Sequence, residues 1–493
     1  MKNFSLTLYA FHLHHTLTDA SGEVDVDAKQ LWESLVNLAV KDYLPFPGLK
    51  NLRSKLICYQ NDEYEPKREL SRNTEWLTDF GAIDLGALPT TEGWKINGNL
   101  QPFLLNDTYA VDITLLPEPA DISIDIPQLQ HFRPIYLLPS HIKASLGQII
   151  WIYGEVDASV NCQELANKFA VALVAGTNLN PVETKKGELF GSLLFEYQAS
   201  DHDEPDNPTK QSDIFILINN SQSHKIKLAN DAYDWLLNLL CSYKKIFYTY
   251  HQARQRYQEA KVIYSYLQNK IQIFNNLIRT STSLSELKKL LIELPTKKLD
   301  YTRCLQDLQT HLTTIDTNIA NYKTCLDKIV AIDGDNSSLF WQEFLDKDCQ
   351  KIIKQIQIDI KYLSPGQELF GEIVNTIRGL VEIQQAESDY QIQQLLRDNE
   401  TAAKERERHL NKTIGAFSFG LIATSMATGS SRYLIAQDPG TYPTRPPFKG
   451  SAREDFLLSF GVGIPCGLFA ALIWWIVISS IQSYSQRRNN ERC

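Results

Sequence analysis

Along the chain the hydrophobic positions change their period three times. Up to about residue 225 they come in short runs, SLTLYAFHL, QIIWIYGEV, LFGSLLFEY and DIFILIN. Turns rich in Gly, Pro and Asp separate them, as do two pieces with helical spacing, LWESLVNLAV and CQELANKFAVALVA. Short apolar runs bounded by turn residues predict strands, and three-and-four spacing predicts helices. The expected fold class is α+β, opening with a mixed α/β domain over 1–225. The polar stretch ASDHDEPDNPTKQSD predicts a surface loop between two strands.

Beyond this region the turns vanish. No Pro lies between Pro208 and Pro295, and no Gly between Gly191 and Gly334. Leu236, Leu240, Tyr243, Phe247, Tyr250, Arg254, Tyr257, Lys261, Tyr264, Leu267, Ile271, Phe274 and Ile278 keep helical spacing, which predicts one long amphipathic helix with Arg254 and Lys261 as polar breaks. Leu305, Leu308, Leu312, Ile315, Ile319, Tyr322, Leu326 and Ile329 alternate steps of three and four without a fault. Such an a/d seam predicts a helix packed lengthwise on another. The stretch AIDGDNSS reads as a turn, because Ser338 and Phe344 stand where a calcium loop starting at Asp333 needs Gly and Glu. A third helix is expected to begin at SPGQE, with Ser364 as cap and Pro365 in the first helical position. Residues 226–412 thus form a stalk of long, coiled-coil-like helices, ending in the charged run DNETAAKERERHLNKT.

Two uncharged runs follow, over about 413–431 and 456–482. The second, FLLSFGVGIPCGLFAALIWWIVISSIQ, is long enough to span a hydrocarbon core of about 30 Å. Trp474 and Trp475 suit an interface, and Pro465 is expected to kink the helix. The first run is far less oily, but Ala416, Gly420, Thr424 and Thr428 recur at every fourth position. That face of small side chains fits a pore-lining or closely packed helix. Together the runs predict a two-helix transmembrane domain over 413–482 and a basic cytosolic tail over 483–493. A slight excess of Lys and Arg on the terminal side puts both termini in the cytoplasm of a multi-pass inner-membrane protein.

Composition narrows the function. A net charge of −9 over 493 residues argues against direct nucleic-acid binding, which rests on clustered Lys and Arg. Eight scattered Cys without a CxxC pair point to reduced thiols in the cytosol, and the N-terminus lacks the apolar core of a signal peptide. There is no GxxxxGK[ST], GxSxG, HExxH or GxGxxG, so the expectation is that the chain is not an enzyme. In FHLHHTL, His12 and His14 share one face of a strand, a spacing that suits a divalent cation or an anionic ligand. The alternative is a half-exposed strand with surface His. No cofactor is otherwise identified.

The order of parts, and the charged-to-apolar junction KERERHLNKTIGAFSFGLIATS with its two spans, resembles the CorA-like two-transmembrane family. The resemblance implies a homopentamer, embedded in the lipid bilayer, whose cytosolic funnel responds to a small-molecule or nucleotide ligand. It implies ion-channel or ion-transport activity, or the role of an antiviral membrane effector. The family's Gly-Met-Asn signature is missing: the Met residues are Met1 and Met426, and Met426 lies between Ser425 and Ala427. No selectivity residue carries over. The leading expectation is an oligomer whose cytosolic sensor gates a pore or perturbs the membrane. The competing one is a non-conducting, membrane-anchored scaffold that recruits a protein partner.

Overall fold

Every position of DIFILIN is buried, because the strand it forms sits between two layers of helix. The computed structural model describes residues 1–385 apart from 16–23, 26, 67–73, 206, 222, 280–283 and 335–338; beyond these it describes 402, 403, 406, 410, 465, 468, 469, 472–477 and 480. Strand β1 (Lys2–Leu13) is followed by helices α1 (Gln30–Val40) and α2 (Pro47–Lys50). A small hairpin, β2 (Tyr59–Gln60) and β3 (Glu63–Tyr64), precedes β4 (Thr74–Trp76), β5 (Ile83–Pro89), β6 (Lys95–Leu105) and β7 (Thr108–Glu118). Short α3 (Ile126–Leu129) leads to β8 (Gly147–Glu155), α4 (Cys162–Leu173), β9 (Leu179–Leu189), β10 (Ser192–Asp201) and β11 (Ser212–Asn219). Then come α5 (Tyr233–Arg279), α6 (Leu284–Asp333), α7 (Leu339–Glu343), a π-helical turn (Phe344–Cys349) and α8 (Gln350–Gln385).

The main sheet runs β4-β6-β7-β1-β8-β11-β10-β9, with β5 also paired to β6. Pairing is antiparallel except between β8 and β11. One row across it is Ile113, Leu8, Ile150 and Ile214, set by the registers of β7, β1, β8 and β11. This face packs on Trp32 and Leu35 of α1 and on Phe169 and Leu173 of α4 in one core. Asn161 starts α4 by accepting a hydrogen bond from the Glu164 N–H, an ordinary cap.

The opposite face receives α5, and polar bonds dock it there. Tyr233 donates to Asp112 of β7 at 2.9 Å, Lys244 pairs with Asp213 of β11 at 2.6 Å, and Lys245 pairs with Asp107 between β6 and β7. Farther along, α5 runs antiparallel to α6: Arg256 meets Asp307, and Lys270 meets Glu293. At 47 and 50 residues these helices are about 70 Å and 75 Å long. In the α6 seam Leu308, Ile315, Tyr322, Leu326 and Ile329 are buried, as its heptad spacing predicts. Residues Met1–Arg378 form one compact unit and Gly379–Cys493 a second, so the long helices group with the sheet.

Two expectations about boundaries are corrected. LFGSLLFEY is not one strand: Phe190 and Gly191 both take positive φ, 51° and 70°, and turn the chain between β9 and β10. Nor does a helix begin at Ser364 and Pro365, which lie inside α8. Ser364 Oγ donates back to the Ile360 carbonyl instead of capping. Ile352, Ile356 and Leu363 are buried along that helix, and this packing outweighs the N–H that Pro365 lacks. Beside the proline, the Tyr301 hydroxyl donates to the Leu363 carbonyl at 2.5 Å. Gly366 leaves room for it, since a Cβ there would lie 2.5 Å from that hydroxyl.

The spans expected at 413–431 and 456–482 lie largely outside the described residues. Among the described residues no helix is long and apolar enough to cross a membrane. Residues 472–477 are helical.

Candidate functional site

A cleft of about 1190 Å³ opens between the β9, β10 and β11 end of the sheet and the helices α5 and α8 with their π turn. Its floor is made by strand periodicity: Glu196 and Gln198 of β10 point to the same face, toward α5. Gln198 donates to Gln211 at 3.0 Å, so the two amides are tied together. Glu196 accepts from the Tyr243 hydroxyl at 3.0 Å and is 6% exposed.

Rings form the wall. Tyr243, Phe247 and Phe344 lie with centroids 4.9 to 5.5 Å apart. Tyr243 and Phe247 are four apart on α5 and share its face. Phe344 opens the π turn, whose extra residue per turn swings Phe344 and Asp348 toward the cleft; such turns recur at functional sites.

Charges line the rim in pairs. Lys185 of β9 bonds Asp348 at 2.8 Å and stands 5.4 Å from the Phe344 ring centre. Arg254 bonds Asp359 of α8 and stacks 4.6 Å from the Tyr257 ring, so the polar break in the α5 seam is an interhelix ion pair. Burial, then the neighbouring Asp213 charge, push the Glu196 carboxyl up to about 7, with Lys185 acting in the opposite sense. Burial also raises the Tyr243 hydroxyl, which keeps it a donor. A buried acid with a displaced pKa in a cleft is a mark of a functional site.

The histidines singled out from sequence lie elsewhere. His12 and His14 are 4% and 0% exposed, which corrects the picture of a half-exposed strand. The Ser145 N–H donates to His12 Nδ1 at 3.0 Å, so Nε2 carries the proton and donates to the Asp27 carbonyl at 2.9 Å. Both ring nitrogens are used, and no lone pair is left for a metal. His14 packs 4.7 Å from the Tyr109 ring centre and shares a 2.9 Å Nδ1 to Nδ1 hydrogen bond with His15. Burial first, and His15 second, push the His14 imidazole down to about 4, so it is neutral. His14 lies one residue past the end of β1, so the two rings do not share a strand face as expected, and each is taken up by local packing. Among the described residues no group of three or more His, Cys, Asp or Glu is placed to hold a metal ion.

His12 does border a second, smaller cleft of about 790 Å³, with Asp25, His141, Lys143 and Lys210. Ala416, Gly420, Thr424 and Thr428 lie outside the described residues. Glu196, Phe344, Lys185 and Asp348 were not legible as a site, since they come from three segments, β10, the π turn and β9. The signal present in the sequence was that Leu194, Glu196 and Gln198 alternate with Leu193, Phe195 and Tyr197, which puts a carboxylate on an inner sheet face. Comparison with protein-family models, with curated proteins and with solved structures gives no match.

Proposed function

We propose that this chain is an oligomeric, CorA-like membrane protein in which the α/β unit senses a small ligand and acts on two C-terminal spans that gate a pore or perturb the bilayer. The observation that carries the reading is the helical run at residues 472–477. Leu472, Ile473, Trp475, Ile476 and Val477 are each 45 to 62% exposed, and Leu468 and Phe469 are 67 and 65% exposed. Six successive helical positions cover more than a full turn, so the apolar surface is not confined to one face. Apolar surface in water is unfavourable by about 25 cal/mol per Å², and soluble monomers rarely expose contiguous patches of this kind. Lipid, or neighbouring copies of the chain, would cover it. The cleft at Glu196 supplies the sensing part of the reading, and α5, α6 and α8 supply rigid elements beside it.

Mass measurement of the detergent-solubilised particle and dye or ion flux from liposomes test this. A ring of identical subunits that passes ions, with flux altered by Gly420→Leu or Thr424→Leu, is the expected result. A monomer without flux overturns it and leaves the anchored scaffold.

A further inference from the structure

Among the described residues, each Lys, Arg, Asp and Glu that lines the main cleft has an opposite charge within 4 Å, with one exception. Lys185 has Asp348, Lys351 has Asp348 at 4.0 Å, Arg254 has Asp359, and Glu259 has Arg256. Behind the floor Asp213 has Lys244. The exception is Glu196, a buried carboxyl whose side-chain contacts are hydroxyls. Burying a carboxylate without a counter-ion is costly, and the cost falls when a cation is brought beside it. Next to it stand three rings with faces that attract cations, Tyr243, Phe247 and Phe344. The protein already seats one ammonium, that of Lys185, against Phe344.

We infer that this cleft binds a small organic cation, an ammonium or amidinium compound, whose charge is taken by the Glu196 carboxylate beside the rings of Tyr243, Phe247 and Phe344. An anionic ligand is disfavoured by the same count: the rim cations are engaged, and an anion would have to break the Lys185 to Asp348 bond and approach Glu259. On binding below pH 7 the carboxyl proton of Glu196 leaves to solvent and one positive charge of the ligand takes its place, so seating a single ammonium beside the carboxylate leaves the charge at that point unchanged. The inference deepens the sensor reading and rests on it for what binding does, not for binding itself.

The groups that face Glu196 are Asp213 from β11, Lys185 from β9, Tyr243 from α5 and Tyr322 from α6, with Lys244 behind Asp213 and Asp348 beside Lys185. Burial holds both phenols above their ordinary range and raises the Glu196 carboxyl to about 7.

The test is calorimetric titration of the full chain in detergent with agmatine and with spermidine, against AMP and pyrophosphate, in buffers of different ionisation enthalpy. Amine affinity is expected to rise about tenfold from pH 6 to pH 8, with up to one proton released per amine bound below pH 7. Glu196→Gln keeps an acceptor for Tyr243 and is expected to lose about tenfold or more in amine affinity at pH 8. Phe247→Leu is expected to lose about threefold. No amine binding by the folded protein, unchanged amine affinity in Glu196→Gln, or binding of AMP or pyrophosphate alone overturns the inference. Flux is not the readout: failure here leaves the membrane reading standing, and amine binding by a protein that passes nothing sinks that reading alone.

Discussion

The ammonium of Lys244 lies 2.6 Å from the Asp213 carboxylate, with the two side chains 3% and 7% exposed, so α5 is pinned to the sheet by an ion pair out of reach of water. Removing one partner strands the other as a buried charge, while removing both does not. Lys244→Ala is expected to destabilise the Met1–Arg378 unit by about 3 to 5 kcal/mol. Lys244→Met with Asp213→Leu should recover most of that. Thermal unfolding of the full chain in detergent measures both, and a double variant as unstable as the single one contradicts this account.

Glu196 makes stability depend on pH. Its carboxyl titrates near 7 in the folded chain against an ordinary value of 4.5. The folded state therefore binds the proton more tightly, and the contribution is fully present below pH 4.5 and lost as pH rises through 7. A difference of that size is worth about 3 kcal/mol. Asp112, pushed up to about 6 by burial, acts in the same direction over a window that ends lower. Glu196→Gln is expected to melt like the parent at pH 5 and several degrees higher at pH 8. Equal melting temperatures at pH 8 would count against the buried acid.

His12 in β1 and His14 just past its end should respond in opposite ways. His12→Leu leaves the Ser145 N–H without a partner and takes one of two hydrogen bonds from the Asp27 carbonyl, which keeps the Gln30 N–H, and is expected to cost about 1 to 3 kcal/mol. His14 has a buried Nε2 with no partner, so His14→Phe, which keeps the ring against Tyr109, is expected to cost little at pH 7.5. Because the folded pKa of His14 is depressed to about 4, its contribution is lost as pH falls below 6.5, and the variant should gain on the parent at pH 5. Elemental analysis should find the same metal content in parent and variants. A loss of bound metal in either variant would restore the metal reading.

Gly366 is expected to reject a methyl group. A Cβ there would meet the Tyr301 ring at 2.8 Å as well as its hydroxyl, and α8 would have to move from α6. Gly366→Ala should destabilise by about 1 to 3 kcal/mol despite the better helix propensity of Ala. A stabilised variant would show that the two helices are not in close contact at this point.

How much of this was legible depended on how much burial each segment carries. DIFILIN announces a strand covered on both faces, because no polar residue interrupts it. The long seams of α5 and α6 are as plain, since thirteen and eight positions repeat one period. Strand β9, LNPVETKKGEL, gives no such signal: it is an edge strand, mostly exposed, and its charges serve water and Asp348. The turn at Phe190 and Gly191 hides between apolar neighbours, where a single Gly does not reveal that the chain reverses. Pro365 reads as a helix start because Ser precedes it, and only the tertiary burial of Ile352, Ile356 and Leu363 decides otherwise. The cleft was least legible, as its floor, wall and rim come from strands and helices far apart in sequence.

Arg254 belongs to two places at once. It lines the cleft from α5, and the same guanidinium holds Asp359 on α8, the helix that precedes the charged and apolar C-terminal runs in the chain. Asp359 is almost fully buried and cannot be left alone without a cost. Any displacement of Arg254 therefore asks α8 to follow or leaves Asp359 without its counter-ion. The wall of the cleft and the position of that helix are in this way joined at a single side chain.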